Sequence, residues 1–135
     1  MDYIWYMLNL NRVHHVAAIC LDYERSKDFY TRVMGFTIIR ETFRAERNSF
    51  KLDLALNGEF VVELFSFPGT PGRPSYPEAA GLRHLAFEVD RMDEVCRYLY
   101  EMGIQFDPVR IDSLTGKQFI FIADPDGLPI EFYEK

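Results

Sequence analysis

The sequence predicts an α+β fold: two tandem β-α-β-β-β modules whose strands form a curled, cup-like mixed sheet with the helices outside. Three observations predict it. The order strand, helix, strand, strand, strand reads once over residues 13–67 and again over 82–134. Between them lies a linker, 68–81, that opens on Pro68-Gly69-Thr70-Pro71-Gly72-Arg73-Pro74-Ser75-Tyr76-Pro77, through which no regular element can run. A histidine on the first strand and a glutamate on the fourth recur at matching spacing: 48 positions from His15 to Glu63, 47 from His84 to Glu131.

Each element has its own warrant. Val13–Leu21 is apolar and β-compatible. Asp22 is a candidate N-cap, and Glu24–Met34 places Phe29, Tyr30, Val33 and Met34 at helical spacing before the stop at Gly35. Phe36–Phe43 is β-branched and aromatic, hence a strand. Ser49–Leu56 alternates, with Phe50, Leu52, Leu54 and Leu56 on one face and Lys51 and Asp53 on the other. Asn57-Gly58 turns the chain into the strand Glu59–Phe67.

The second module repeats the order. Leu82–Val89 is a strand, Asp90 a candidate cap, and Met92, Val95, Cys96 and Leu99 an apolar helical stripe ending near Gly103. Ile104–Ile111 is a strand interrupted by Pro108, which suits an edge. Asp112–Gly116 turns into the strand Lys117–Ala123, and Asp124-Pro125-Asp126-Gly127 turns into the strand Leu128–Tyr133.

The 135 residues suit one domain with a real core. The net charge of −6 argues against a nucleic-acid partner, since phosphate binding needs a cationic face. No apolar run approaches the ~20 residues of a membrane helix. Met1–Leu10 is apolar but lacks a basic start and a small-residue cleavage site, so the expectation is a cytoplasmic protein. Met7 is an alternative start, with the first six residues a fraying extension. Cys20 and Cys96 show no metal or redox spacing and read as small apolar groups.

The repeat registers His15, not its neighbour His14, with His84. Neighbours on a strand point to opposite faces, so His14 would face the helix side or the rim while His15, Ala17 and Ile19 face the concave interior. Glu63 stands between Val62 and Leu64, and Glu131 between Ile130 and Phe132. A carboxylate in such a strand points to solvent, pairs with an arginine, or binds a metal. Taken alone, each of these side chains has an ordinary structural explanation. Two imidazoles and two carboxylates at matching places in two copies of one unit point instead to a divalent cation: zinc, nickel, cobalt, manganese or iron. Four protein ligands in an octahedron leave two positions for water or substrate.

Two such modules resemble the vicinal oxygen chelate superfamily, which includes glyoxalase I, extradiol dioxygenases and fosfomycin-resistance enzymes. The resemblance covers residues 13–134. It is carried by His15-Val16-Ala17 followed by Asp22, the Phe29-Tyr30 helix ending at Gly35-Phe36, Val62-Glu63-Leu64, Arg83-His84-Leu85-Ala86-Phe87, and Asp124-Pro125-Asp126-Gly127 leading to Ile130-Glu131. The general likeness is to small bacterial glyoxalase-I-like proteins.

The resemblance implies one divalent metal per site, held by His15, Glu63, His84 and Glu131. Because Glu63 supplies a fourth ligand, it implies a glyoxalase-I-like lyase or isomerase, with proton transfer through a metal-stabilised enediolate. Glu131 is the first choice as base and Glu63 the second. It also implies a homodimer, in which the metal lies either within a chain or between His15 and Glu63 of one chain and His84 and Glu131 of another. Bacterial glyoxalase I holds glutathione with an arginine and an asparagine where this chain has Ile19 and Phe67. Neither can grip a carboxylate, which argues against glutathione hemithioacetal.

A smaller or more apolar oxygenated substrate would instead meet Phe50, Phe65, Phe67, Phe119 or Phe121, if these line the cup rather than the core. Linker residues Arg73, Ser75 and Tyr76 either cover the mouth or merely tether the modules. Two other readings stay open: an iron(II) extradiol-type dioxygenase, and a non-catalytic small-molecule-binding member of the superfamily.

Overall fold

The computed structural model describes residues 7–135, so the expectation for the first six residues lies outside the described residues. The first module runs β1 (Val16–Cys20), α1 (Tyr23–Asp28), a π-helical continuation over Phe29–Val33, β2 (Thr37–Arg44), a short 3-10 turn over Ala45–Arg47, β3 (Ser49–Leu56) and β4 (Glu59–Ser66). The second runs β5 (Leu85–Val89), α2 (Met92–Glu101), β6 (Arg110–Ile111), β7 (Gln118–Ala123) and β8 (Pro129–Glu134). Each module builds its own unclosed, mixed four-stranded sheet, in the orders β1-β4-β3-β2 and β5-β8-β7-β6. The first and last strands of each module pair in parallel, and the remaining pairs are antiparallel.

Local chemistry explains most boundaries. Asp22 caps α1 by accepting from the Arg25 N–H at 3.2 Å. Asn57 (φ 52°) and Gly58 (φ 81°) supply the two left-handed residues that a tight β3–β4 hairpin requires.

Four expectations are corrected. The first strand begins at Val16 rather than Val13, so both neighbouring histidines precede it. They do not diverge to opposite faces: their Nδ1 atoms lie 2.8 Å apart and their rings meet edge-on. Asp90 does not cap α2, whose N-cap position is Arg91, without a side-chain hydrogen bond. The strand expected over 104–111 is only Arg110–Ile111, because Pro108 has no N–H to donate to a ladder.

Side chains of both modules share one apolar core, in which Tyr30, Val33 and Phe36 join Met92, Leu99, Ile120 and Ile130. On β1, Ala18 and Cys20 face this core while Ala17 and Ile19 face out, as strand alternation requires. Burial pushes the Cys20 thiol up to about 11, helped by the nearby Asp126 carboxylate. Cys20 is therefore a protonated thiol in the core.

The Asp124–Gly127 turn does more than reverse the chain. The Asp124 carboxylate accepts from the N–H groups of Asp126 and Leu128, both at 2.9 Å. It also accepts from the Tyr30 hydroxyl of the other module at 2.8 Å. Asp126 in turn accepts from the Leu21 N–H at 3.2 Å and lies 3.4 Å from the Ser26 hydroxyl. Burial, then Asp124, push the Tyr30 hydroxyl well above its ordinary range, so it stays a donor. No helix among the described residues is long and apolar enough to cross a membrane.

Replacing Asp124 by Ala strands the buried Tyr30 hydroxyl and two backbone donors, and should cost about 3 kcal/mol in urea unfolding, against about 1 kcal/mol for Tyr30→Phe. Alkylation of Cys20 by iodoacetamide at pH 7 should be negligible in the folded protein and appear only with unfolding, as read by mass spectrometry of the Cys20 peptide.

Candidate metal centre

The parallel pairings place the candidate ligands. In the first sheet Ala17 lies opposite Glu63, and in the second Ala86 lies opposite Glu131. In both, the glutamate's partner is the residue two places past the histidine, so histidine and glutamate share a face. His15 Nε2 lies 3.7 Å from Glu63 Oε2, and His84 Nε2 lies 3.4 Å from Glu131 Oε1. Divalent ions hold nitrogen and oxygen at about 2.0–2.2 Å, which puts adjacent donors of an octahedron about 3 Å apart. A small side-chain adjustment brings either pair to that spacing, and imidazole with carboxylate is a suitable donor set for a borderline ion.

The four side chains do not converge within one chain. Among the described residues, no three histidine, cysteine, aspartate or glutamate side chains cluster closely enough to hold a metal. The chain presents two candidate half-sites, one histidine–glutamate pair per sheet. His14, whose ring lies against His15 and Phe60, is part of the first half-site's rim and not of the helix side.

The half-sites have different surroundings. Glu63 is buried at 8 % exposure and lies 3.4 Å from the Lys51 ammonium. Lys51 also donates to Asp53 at 2.7 Å, and Arg40 reaches the other Asp53 oxygen at 3.3 Å. Asp53, at 1 % exposure, is thus a buried carboxylate held by two cations. Its hydrogen bond raises the Lys51 pKa, so Lys51 stays charged through neutral pH. At the second half-site the place facing Glu131 is taken by Phe121, whose ring meets the His84 ring edge-on at 5.2 Å.

The aromatic residues divide by face. Phe65 and Phe67 stack on the ligand face beneath the Arg44 guanidinium. Phe119 and Phe121 lie on the ligand face of the other sheet beneath Arg110. Phe50 does not line this face: it stacks on Tyr23 at 4.3 Å on the helix side. The linker is more than a tether, because Arg73, Ser75 and Tyr76 line a cavity of about 1080 Å³ onto which His84, Arg110 and Phe121 also open.

Sequence reasoning singled out the four candidate ligands but not Lys51, Asp53, Arg40, Arg44 or Arg110. The turn alone does not reveal the first two. Counting back from Asn57-Gly58 sets Asp53 opposite Val62, and an irregularity between Leu54 and Ala55 shifts the register by one so that Asp53 faces Glu63.

Lys51→Met leaves Asp53 with Arg40 alone and should destabilise the fold by about 2 kcal/mol, with Lys51→Met/Asp53→Asn recovering part of the loss. The sign with pH follows from the raised lysine value: the contribution is complete below the unfolded lysine pKa and is lost as pH rises through the folded one. Urea midpoints at pH 7 and in alkali check both.

The profile of the Glyoxalase/Bleomycin resistance protein/Dioxygenase superfamily matches residues 12–132. The chain is 57% identical over 126 residues to the uncharacterized protein YwkD of Bacillus subtilis (strain 168), covering 93% of this chain and 98% of that one. It is 30% identical over 131 residues to the lactoylglutathione lyase of Escherichia coli O157:H7, covering 92% and 93%. The crystal structure of the glyoxalase family protein from Enterococcus faecalis matches with a TM-score of 0.85 at 48% identity, covering 91% of this chain and 97% of that one. The repeated sheets, the paired half-sites and these likenesses over nearly the whole length agree: the chain belongs to the Glyoxalase/Bleomycin resistance protein/Dioxygenase superfamily.

Proposed function

We propose that the protein is a divalent-metal-dependent, glyoxalase-I-like lyase or isomerase acting on a small oxygenated substrate in a homodimer. The observation that carries this reading is the repeat of one histidine–glutamate contact at one register on both sheets. His15 and Glu63 of one chain would join His84 and Glu131 of another around one ion. Two features support completion by a second copy. Among the described residues, β1 and β5 have a ladder partner on one side only. Ile19, Leu21, Ile38, Ile39 and Phe43 are large apolar side chains left exposed on the first module.

When bound, the ion would polarise a carbonyl oxygen of the substrate and stabilise negative charge developing there. The protein's part is to move a proton between adjacent carbons of the substrate through its enediolate. Glu131 is the better placed base: it faces Phe121 and has His84 beside it, whereas Glu63 is shared with the Lys51 ammonium. Ile19 and Phe67 offer no charged grip, and this argues against a glutathione hemithioacetal.

The contact between Lys51 and Glu63 favours a second reading, in which only His15, His84 and Glu131 hold the ion, as in the iron(II) dioxygenase type. The non-catalytic binding reading predicts ligand binding without turnover.

Metal analysis of the purified protein separates these. His15→Gln, His84→Gln and Glu131→Gln should each lower metal affinity by more than about tenfold. Glu63→Gln should do the same for a four-ligand site and leave metal content unchanged for a three-ligand one. Mixing His15→Gln/Glu63→Gln chains with His84→Gln/Glu131→Gln chains should restore about one quarter of the wild-type metal content, the share expected from mixed dimers with one intact site each. A site within one chain gives no restoration.

A further inference from the structure

The cavity beside His84 carries three arginines on its wall, Arg73, Arg83 and Arg110, in a chain whose net charge is −6. Two of them are committed. Arg73 donates to the carbonyl oxygens of Leu82 and Arg83, at 2.6 and 3.2 Å. Arg83 pairs with Glu78. Arg110 is different: among the described residues its side chain makes no hydrogen bond, and its nearest carboxylate, Asp107, stands 3.6 Å away in a half-exposed pair. An exposed pair at that distance holds a guanidinium weakly.

What holds Arg110 is aromatic. Its guanidinium carbon lies 4.9 Å from the centre of the Phe119 ring and 5.6 Å from that of Phe121. Such stacking orders the planar group while leaving its N–H edges free, and a guanidinium edge matches two oxygens of an oxyanion. Phe121 links the two ends of this row, since its other neighbour is the His84 ring, and Glu131 lies opposite it on β8. By contrast, Arg44 over Phe65 and Phe67 already donates to the Ser49 hydroxyl at 2.9 Å.

We propose that Arg110, ordered over Phe119 and Phe121, grips an anionic end of the substrate, which is therefore a small oxygenated acid bearing a carboxylate, phosphonate or phosphate. This rests on the placement of the substrate beside His84 and Glu131. It replaces the more apolar molecule that the aromatic residues suggested from sequence. The oxygens near His84 and the oxyanion at Arg110 would lie on either side of the Phe121 ring, which fixes the substrate's length and direction.

The test uses the full chain, treated with EDTA and desalted, titrated calorimetrically with methylphosphonate and with acetate. Saturable binding of either supports the proposal, and the tighter of the two assigns the oxyanion type. Arg110→Met should weaken that binding by about tenfold or more, and Arg110→Lys should recover only part, since an ammonium keeps the charge but not the fork. Arg83→Met removes an equal charge from the same wall and should stay within about twofold of wild type. Circular dichroism checks that each variant is folded. The proposal is overturned if neither anion binds saturably, if Arg110→Met binds as wild type does, or if Arg83→Met loses as much. Because no metal is present, this result is independent of metal content: anion binding without metal uptake sinks the metal reading alone, and the reverse sinks only this one.

Discussion

The structure depends on one constraint: the parallel pairing of the first strand of each module with its last. A parallel ladder joins segments distant in sequence, and here it brings residues almost fifty positions apart to hydrogen-bonding neighbours. Because side chains alternate, a slip of one residue would send each glutamate into the apolar core and its histidine to the opposite face. The core residues flanking each glutamate, Val62 and Leu64 in one sheet and Ile130 and Phe132 in the other, resist such a slip by needing burial. The apolar core thus fixes the position of the polar groups, although it touches none of their chemistry.

The two modules carry similar histidine–glutamate pairs in different surroundings. Around Glu63 the floor is ionic, with the buried Asp53 held by Lys51 and by a largely exposed Arg40. Around Glu131 it is aromatic. Glu63 thus lies between an imidazole and an ammonium, and Glu131 between an imidazole and a phenyl ring.

The sequence made the order of elements legible, together with the Asn57-Gly58 hairpin, the Asp22 cap and the four candidate ligands, because each rests on local pattern or on the repeat. Failures occurred where a local signal met a competing one. Period-two alternation misplaces His14, which precedes β1 and turns its ring against that of His15. Asp90 looked like a cap, but the chain makes its helical turn one residue later. Pro108 suits an edge residue within a strand, yet without an N–H it leaves only Arg110–Ile111 of that strand. Arg110 and Arg44 were invisible as a class, because an arginine over two rings depends on cross-strand neighbours that no single segment reveals.

That lost strand has a consequence for how such a protein changes over time. Residues 104–109, between α2 and β6, make no sheet ladder, yet Ile104, Gln105, Phe106 and Asp107 form part of the wall beside His84. Replacements there reshape the wall without breaking any strand pairing that positions His84 and Glu131. That wall can therefore drift in size and polarity while the ladders beneath it stay intact, so descendants of one ancestor could differ in what the cavity admits without first losing the fold.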